Sequence, residues 1–260
     1  MDVDRLSTEL VRENFLTEIV YLEKINSTND FAKKNKCASD TLILTPRQTS
    51  GMGRFNRIWH SNPRENLTFT LTKAIDIPID EIHLVNFYSS YILFITLQDF
   101  FSGKKDLDFS LKWPNDILLN RKKISGFLLE INKIRSDVKN FIIGIGINVN
   151  QNDFTHELLT NATSLKKETG IEINCEELLI EFIKNFYSHF VLITQKDVLM
   201  KKWISNSNIT GKKVNFKILN DDTPKAASVV DIGFDGGLKL KFEDGKIKKY
   251  YSGEISLVYG

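Results

Sequence analysis

Leu111-Lys112-Trp113-Pro114-Asn115-Asp116-Ile117-Leu118-Leu119 is the stretch around which the rest of the chain is organised. Two apolar runs of β character meet there at a forced turn. Pro114 fixes φ and carries no N–H, so a strand ladder has to break at it. Asn115 and Asp116 bond readily to their own backbone and complete the turn. Lys112 then ends the first strand, beside the bulky Trp113. Such a lysine reads in two ways. It is a surface amine whose stem lies along a packed indole, or a point charge aimed at a phosphate or a developing anion.

Downstream of the turn, residues 117–119 and 124–131 read as strands joined by the polar turn Asn120-Arg121-Lys122-Lys123. Gly126 inside the second strand predicts a bulge or a close approach to the backbone. Residues 141–150 read as a central strand. Its interior glycines, Gly144 and Gly146, would weaken a purely structural strand, which points to a ligand passing over that face. Short turns across 117–149 predict antiparallel neighbours.

Upstream, residues 80–101 are apolar on nearly all sides and predict a buried helix packed on a sheet. Strands are predicted at 18–25, 41–45 and 66–72, after a short leading helix over 6–16. Helices are predicted at 158–169, 176–193 and 196–205, with Phe186 and Trp203 in the core. From Gly211 the pattern changes to short strands at 214–218, 227–232, 238–242 and 247–251. Asp235-Gly236-Gly237 and Asp244-Gly245 mark hairpin turns between them. A segment of that kind reads as a small β-barrel, with the boundary at 206–210.

Two polar stretches accompany this frame. Asn26-Ser27-Thr28-Asn29 offers a helix N-cap, or exposed hydroxyls and helix N–H groups for a polar ligand. Gln48-Thr49-Ser50-Gly51-Met52-Gly53-Arg54-Phe55-Asn56-Arg57-Ile58-Trp59 is a basic loop between strands. Gly51 and Gly53 allow N–H groups to turn toward one anion. Arg54 and Arg57 supply phosphate-binding forks, and Trp59 supplies a face for a base. The spacing fits neither a P-loop nor a dinucleotide fingerprint.

Composition narrows the classes. With 260 residues and 42% hydrophobic content the chain can bury a normal core. Lys+Arg 35 against Asp+Glu 33 gives +2, which is no broad polyanion-binding signature. Cys37 and Cys175 lack metal spacing and predict no disulfide framework. The charged N-terminus predicts no signal peptide. No apolar run approaches about 18 residues, so a cytoplasmic protein without a membrane span is expected.

Taken in order, these motifs resemble those of the biotin protein ligases, also called biotin–[acetyl-CoA-carboxylase] ligases or holocarboxylase synthetases. The matching pieces are Ser27-Thr28-Asn29, the 48–59 loop, Lys112-Trp113-Pro114-Asn115-Asp116, Lys123-Ile124-Ser125-Gly126-Phe127-Leu128-Leu129-Glu130, Gly144-Ile145-Gly146-Ile147-Asn148-Val149, Ala162-Thr163-Ser164-Leu165 and Gly253-Glu254-Ile255-Ser256. Each alone is weak; the ordered set spans almost the whole chain. The resemblance implies an α/β fold of α+β type: a mixed, mostly antiparallel sheet with packed helices, then a small SH3-like β-barrel. Residues 1–206 would form the catalytic domain and 207–260 the barrel.

The resemblance also implies a two-step ligase using biotin, ATP and Mg²⁺. Biotinyl-5′-AMP forms, and the biotinyl group then passes to a lysine of a biotin carboxyl-carrier domain of a biotin-dependent carboxylase. By similarity, Ser27, Thr28, Asn29, Gln48, Gly51, Met52 and Gly126 would hold biotin. Gly53, Arg54, Arg57, Trp59 and Asn148 would hold the nucleotide. Lys112 would touch both biotin carboxylate and α-phosphate, and Lys112 and Arg54 would be catalytic. The metal ligands stay unassigned.

The family loop runs Gly-Arg-Gly-Arg-x-Gly-Arg-x-Trp. Here Met52 replaces the first arginine and Asn56 a glycine, which predicts weaker retention of the adenylate and a stiffer loop unless Asn56 is left-handed. Regulatory members carry a winged helix before the catalytic domain. Only about 25 residues precede Ser27, so no DNA-binding role is expected. Exposed strand edges leave a homodimer open. Rival readings are a lipoate or octanoyl ligase or transferase of the same superfamily, a nucleic-acid-binding module, and a biotin sensor without catalysis.

Overall fold

The computed structural model describes residues 1–104, 106–133, 139–155, 161–218 and 221–257. Among them, a larger sheet forms from β1 (Glu18–Tyr21), β2 (Thr41–Leu44), β3 (Leu67–Ile75), β4 (Phe109–Lys112), β5 (Asp116–Leu119), β6 (Lys122–Lys133) and β7 (Lys139–Ile147). Its order is β1-β2-β3-β7-β6-β5-β4. β1 and β2 run parallel; the other neighbours are antiparallel, as their short connections require. β7 lies at the centre, and its Phe141, Ile142, Ile143 and Ile145 are all buried. The β4–β5 turn contains a cis Trp113–Pro114 peptide, with Lys112 opposite Asp116.

The helices are α1 (Val3–Leu6), α2 (Thr28–Asn35), α3 (His83–Phe100), α4 (Leu165–Thr169), α5 (Cys175–Ser188) and α6 (Lys196–Ser205). α3 is the predicted buried helix, packed against α5, α6 and the β4–β6 part of the sheet. Trp203 of α6 and Phe186 of α5 are fully buried there, as expected. Side chains of this size contribute about 1.5–3 kcal/mol each by leaving water. Alternation along β3 sets the two faces: Phe69 meets Phe182 of α5, while Thr70 bonds Asn29 of α2. So α3, α5 and α6 cover one face, and α2 with the 48–59 loop lies on the other.

Several boundaries differ from expectation. The strand predicted over 18–25 stops at Tyr21. The leading helix is α1 running into a π-helical turn, Ser7–Arg12. The helix predicted over 158–169 begins only at Leu165, because Ser164 caps it and Ala162 bridges to Lys123 instead. Residues 158–160 of that prediction lie outside the described residues. The predicted 176–193 helix breaks after Ser188 into a 3₁₀ turn, Phe190–Thr194.

A second, antiparallel sheet contains β8 (Lys213–Ile218), β9 (Asp221–Ile232), β10 (Leu238–Phe242), β11 (Ile247–Tyr250) and β12 (Glu254–Leu257), ordered β11-β10-β9-β8-β12. Val214, Phe216, Val229, Leu238 and Leu240 form its buried face. β12 occupies a stretch with no strand predicted; it pairs with β8 and buries Ile255. The whole is the mixed, mostly antiparallel architecture with packed helices and a following β unit that the motifs imply. Among the described residues no helix is long and apolar enough to cross a membrane.

Candidate active site

A cleft of about 540 Å³ opens on the α2 face of the larger sheet. At one end it is uncharged and rich in hydrogen-bonding groups. Ser27 caps α2, its hydroxyl accepting from the Asp30 N–H at 3.3 Å. Gln48 Oε1 accepts from the Thr28 N–H at 2.8 Å and lies 3.1 Å from Thr28 Oγ1. Gln48 reaches this place because the start of its loop runs beside Ile25 in a parallel bridge. Thr70 Oγ1 donates to Asn29 Oδ1 at 2.6 Å, and Asn29 Nδ2 donates to Glu130 at 2.9 Å. Of the two readings of this stretch, the helix N-cap is the one seen at Ser27, and the hydroxyls are buried rather than exposed; Ser27 is 4% and Thr28 2% exposed. They face the cleft while holding one another in place.

The floor is a row of small residues in register across the sheet: Gly126 opposite Gly146, and Gly146 opposite Thr68. A Cβ at Gly146 would collide with the Trp59 indole, and one at Gly144 with Asn29. The space over Gly144 and Gly146, where a ligand is expected to pass, is occupied by the chain's own Asn29 and Trp59. Trp59 Nε1 is buried there with no acceptor among the described residues. The bulge predicted near Gly126 falls at Ile124, where the β5–β6 register shifts.

That bulge matters chemically. Strict alternation from Gly126 would point Lys123 to the far face of the sheet. The extra residue returns it to the cleft. Lys123 Nζ sits 2.6 Å from Asp116 Oδ1 and 5.7 Å from the centre of the Trp59 ring. It lies 2.9 Å from where a Gly126 Cβ would be. Lys123 and Asp116 stand in the quoted motifs but carry no predicted role; the structure adds them to the cleft lining, and the bulge is why alternation alone does not place Lys123 there.

Lys112, Arg54, Arg57 and Arg121 also line the cleft, giving it a cationic end. Arg54 Nη1 donates to Asn115 Oδ1 at 3.3 Å, and its guanidinium lies 4.7 Å from the Phe55 ring centre. The loop closes on itself as a hairpin, with Met52 bridged to Ile58 and the Gly53 N–H donating to the Arg57 carbonyl at 2.7 Å. The left-handed residues are Phe55 and Asn56, at φ 58° and 57°, rather than Gly51 or Gly53. Gly51 is outside the cleft wall, packed between Gln48 and Trp59. Asn148 lines the cleft and donates through Nδ2 to the Thr163 carbonyl at 3.0 Å. Among the described residues no three His, Cys, Asp or Glu side chains cluster to hold a metal.

The arrangement suits an elongated ligand with a neutral, hydrogen-bonding head, an apolar middle and an anionic end. The Biotin/lipoate A/B protein ligase family matches residues 21–148, and the Biotin protein ligase C terminal domain matches residues 209–258. The Bifunctional ligase/repressor BirA of Bacillus spizizenii is 31% identical, over 97% of this chain and 79% of its own length. The Biotin–[acetyl-CoA-carboxylase] ligase of Paracoccus denitrificans is 29% identical over 61% of this chain and 67% of its own. The biotin protein ligase of Aquifex aeolicus, solved with biotin and ATP, superposes with a TM-score of 0.76 at 27% identity, covering 94% of this chain and 100% of that one. With ordered motifs, fold and relatives in agreement, the chain belongs to the biotin protein ligase family.

Proposed function

We propose that this protein activates biotin with ATP and transfers it to a lysine of a biotin carboxyl-carrier domain. The observation that carries the reading is the grading of the cleft. Thr28 and Gln48 offer paired polar groups to a ureido head. The Gly126–Gly146 strip suits an aliphatic tail. Lys123, Lys112 and Arg54 line the end where a carboxylate would meet a phosphate.

In the first step a biotin carboxylate oxygen attacks the α-phosphorus of ATP and pyrophosphate leaves. Two anions must approach, so fixed cations lower the barrier by matching charge as it develops. A tail laid along Gly126 brings its carboxylate beside Lys123, which makes Lys123 the nearest cation; Lys112 and Arg54 stand on the phosphate side. Mg²⁺ bound to the nucleotide would offset the charge of its phosphates, with no protein ligand to it assigned among the described residues. In the second step the acceptor amine attacks the mixed anhydride carbonyl, and AMP leaves with the bonding electrons. The 48–59 hairpin over the cleft suits exclusion of water from that labile anhydride.

The orphan N–H of Trp59 and the indole face serve the nucleotide, with Asn148 beside them. We place the unit boundary between residues 206 and 207. The free Cys37 and Cys175 and the need for ATP favour the cytoplasm. The charge of +2 favours a protein acceptor over DNA. β1 is the edge a homodimer would use, since the β4 edge is engaged by the Asn206 carbonyl at 2.9 Å from the Leu111 N–H.

The test is exchange of labelled pyrophosphate into ATP, with biotin or lipoate as the acid. Exchange with biotin alone supports the assignment. Exchange with lipoate alone moves the protein to the lipoate branch, and none with either acid in folded protein overturns it.

A further inference from the structure

The turn that carries Lys112 and Asp116 is held from four directions. Asn86 of α3 donates to the Pro114 carbonyl at 2.8 Å, and Asn115 Nδ2 donates to the Phe127 carbonyl at 2.5 Å. Arg54 reaches Asn115 from the loop. The fourth hold comes from the second sheet. Trp113, 1% exposed, donates its Nε1–H to the Gly236 carbonyl at 3.0 Å, across 123 positions of sequence.

That carbonyl is deliberately presented. Gly236 lies in the β9–β10 turn at φ +76°, and a Cβ there would stand 2.7 Å from Phe87 and 2.8 Å from His83. Only glycine meets both demands. Asp235 fixes the turn, accepting from the Gly237 N–H at 3.2 Å and from Tyr251 at 2.7 Å, and pairing with Lys249. A buried indole N–H needs an acceptor, yet a carbonyl from a nearer segment would meet that need. Here the acceptor belongs to a different sheet and the donor is flanked by the cleft's own lysine.

We propose that the Asp235-Gly236-Gly237 turn is a positioning element for the Lys112–Asp116 turn, so that the second sheet contributes to the adenylation step. The inference rests on the ligase reading above. Loss of the link lets the β4–β5 turn shift, carrying Asp116 and its partner Lys123 off line.

The experiment uses the full chain, with Trp113→Phe and Gly236→Ala singly and combined, and Asp244→Asn at the other hairpin tip as control. Biotin-dependent pyrophosphate exchange is measured per folded molecule. The expected result is a kcat lower by about 10- to 100-fold in each single variant. KM for biotin and ATP should stay within about twofold. The combined variant should be no worse than the poorer single one, because both cut the same link. The control should match wild type. A merely structural link would lower the melting midpoint and leave kcat of the folded fraction unmoved; that outcome, or additive losses, overturns the proposal. If Gly236→Ala does not fold, Trp113→Phe decides alone: a fallen kcat at constant KM supports the link, a wild-type kcat rejects it. Wild type inert with biotin would instead remove the ligase reading itself, and this inference with it.

Discussion

At the scale of single residues, the cleft turns on which cation meets the carboxylate. Lys123 is set 2.6 Å from Asp116 and beside Gly126, whereas Lys112 stands at the strand end. Replacing Lys123 by Ala should lower kcat for pyrophosphate exchange by about 10²–10³-fold, the usual cost of a lost transition-state contact. Equal exchange rates for Lys123→Ala and wild type would refute the placement. Sequence singles out Lys112, a lysine at a strand end beside Pro114, and the structure places it in the cleft wall together with Lys123. Lys123 was read as part of a polar hairpin turn. Periodicity cannot register an inserted residue, and Ile124 is that insertion.

At the scale of elements, the 48–59 loop departs from the family pattern at two positions, and they differ in consequence. Asn56 is left-handed, a conformation that asparagine tolerates, so it replaces a glycine at little cost. Met52 is 40% exposed and adds no charge where the resemblance implies an arginine. Met52→Arg should therefore slow escape of biotinyl-adenylate, measured as the dissociation rate of labelled intermediate from purified protein. A half-life no longer than wild type would count against this. The strands and α3 were legible, because alternation and a continuous apolar run report burial directly. The conformation of the loop was not. Gly51 and Gly53 advertise freedom they do not use, while Phe55 takes a left-handed angle that its own chemistry disfavours. The end of α5 at Ser188 was also hidden, since the apolar pattern continues through Phe190 and Ile193.

At the scale of the molecule, two layers share the load. Phe186 is fully buried and packs edge-on to Tyr88 at 5.0 Å and against Phe190 at 6.0 Å. Phe186→Ala should destabilise by about 3–5 kcal/mol in urea unfolding, with exchange per folded molecule retained, because this layer lies behind the sheet. Asp235 makes the second sheet sensitive to acid. Burial raises its carboxyl, but hydrogen bonds from Lys249, Tyr251 and the Gly237 N–H outweigh that and hold it at about 2. A pKa below the unfolded value of about 3.9 means that the carboxylate stabilises the fold fully above that pH, and that this effect is lost as pH falls through about 2. The stability gap between wild type and Asp235→Asn should thus be constant from neutral pH to about 5 and close between about 4 and 2. Unfolding curves across that range check it. The Trp113–Gly236 contact behind this sheet was illegible from sequence: each partner reads as an ordinary core or turn residue, and only the tertiary fold joins them.

The resting place of Trp59 has an optical consequence. The chain holds three tryptophans. Trp113 and Trp203 are sealed in the core, their N–H groups given to the Gly236 carbonyl and to Ser90 Oγ. Trp203 lies behind the sheet, and Trp113, which borders the cleft, keeps its indole N–H on the Gly236 carbonyl. Trp59 alone lies half-buried across the glycine strip, its N–H without an acceptor among the described residues. A biotin tail entering that strip must slide beneath or displace this ring, so intrinsic fluorescence should change on titration with biotin, and most of that change should be lost in Trp59→Phe, the remainder coming from Trp113 at the cleft wall. The protein carries its own dye on the floor of the cleft, and occupancy can be followed in light without any label.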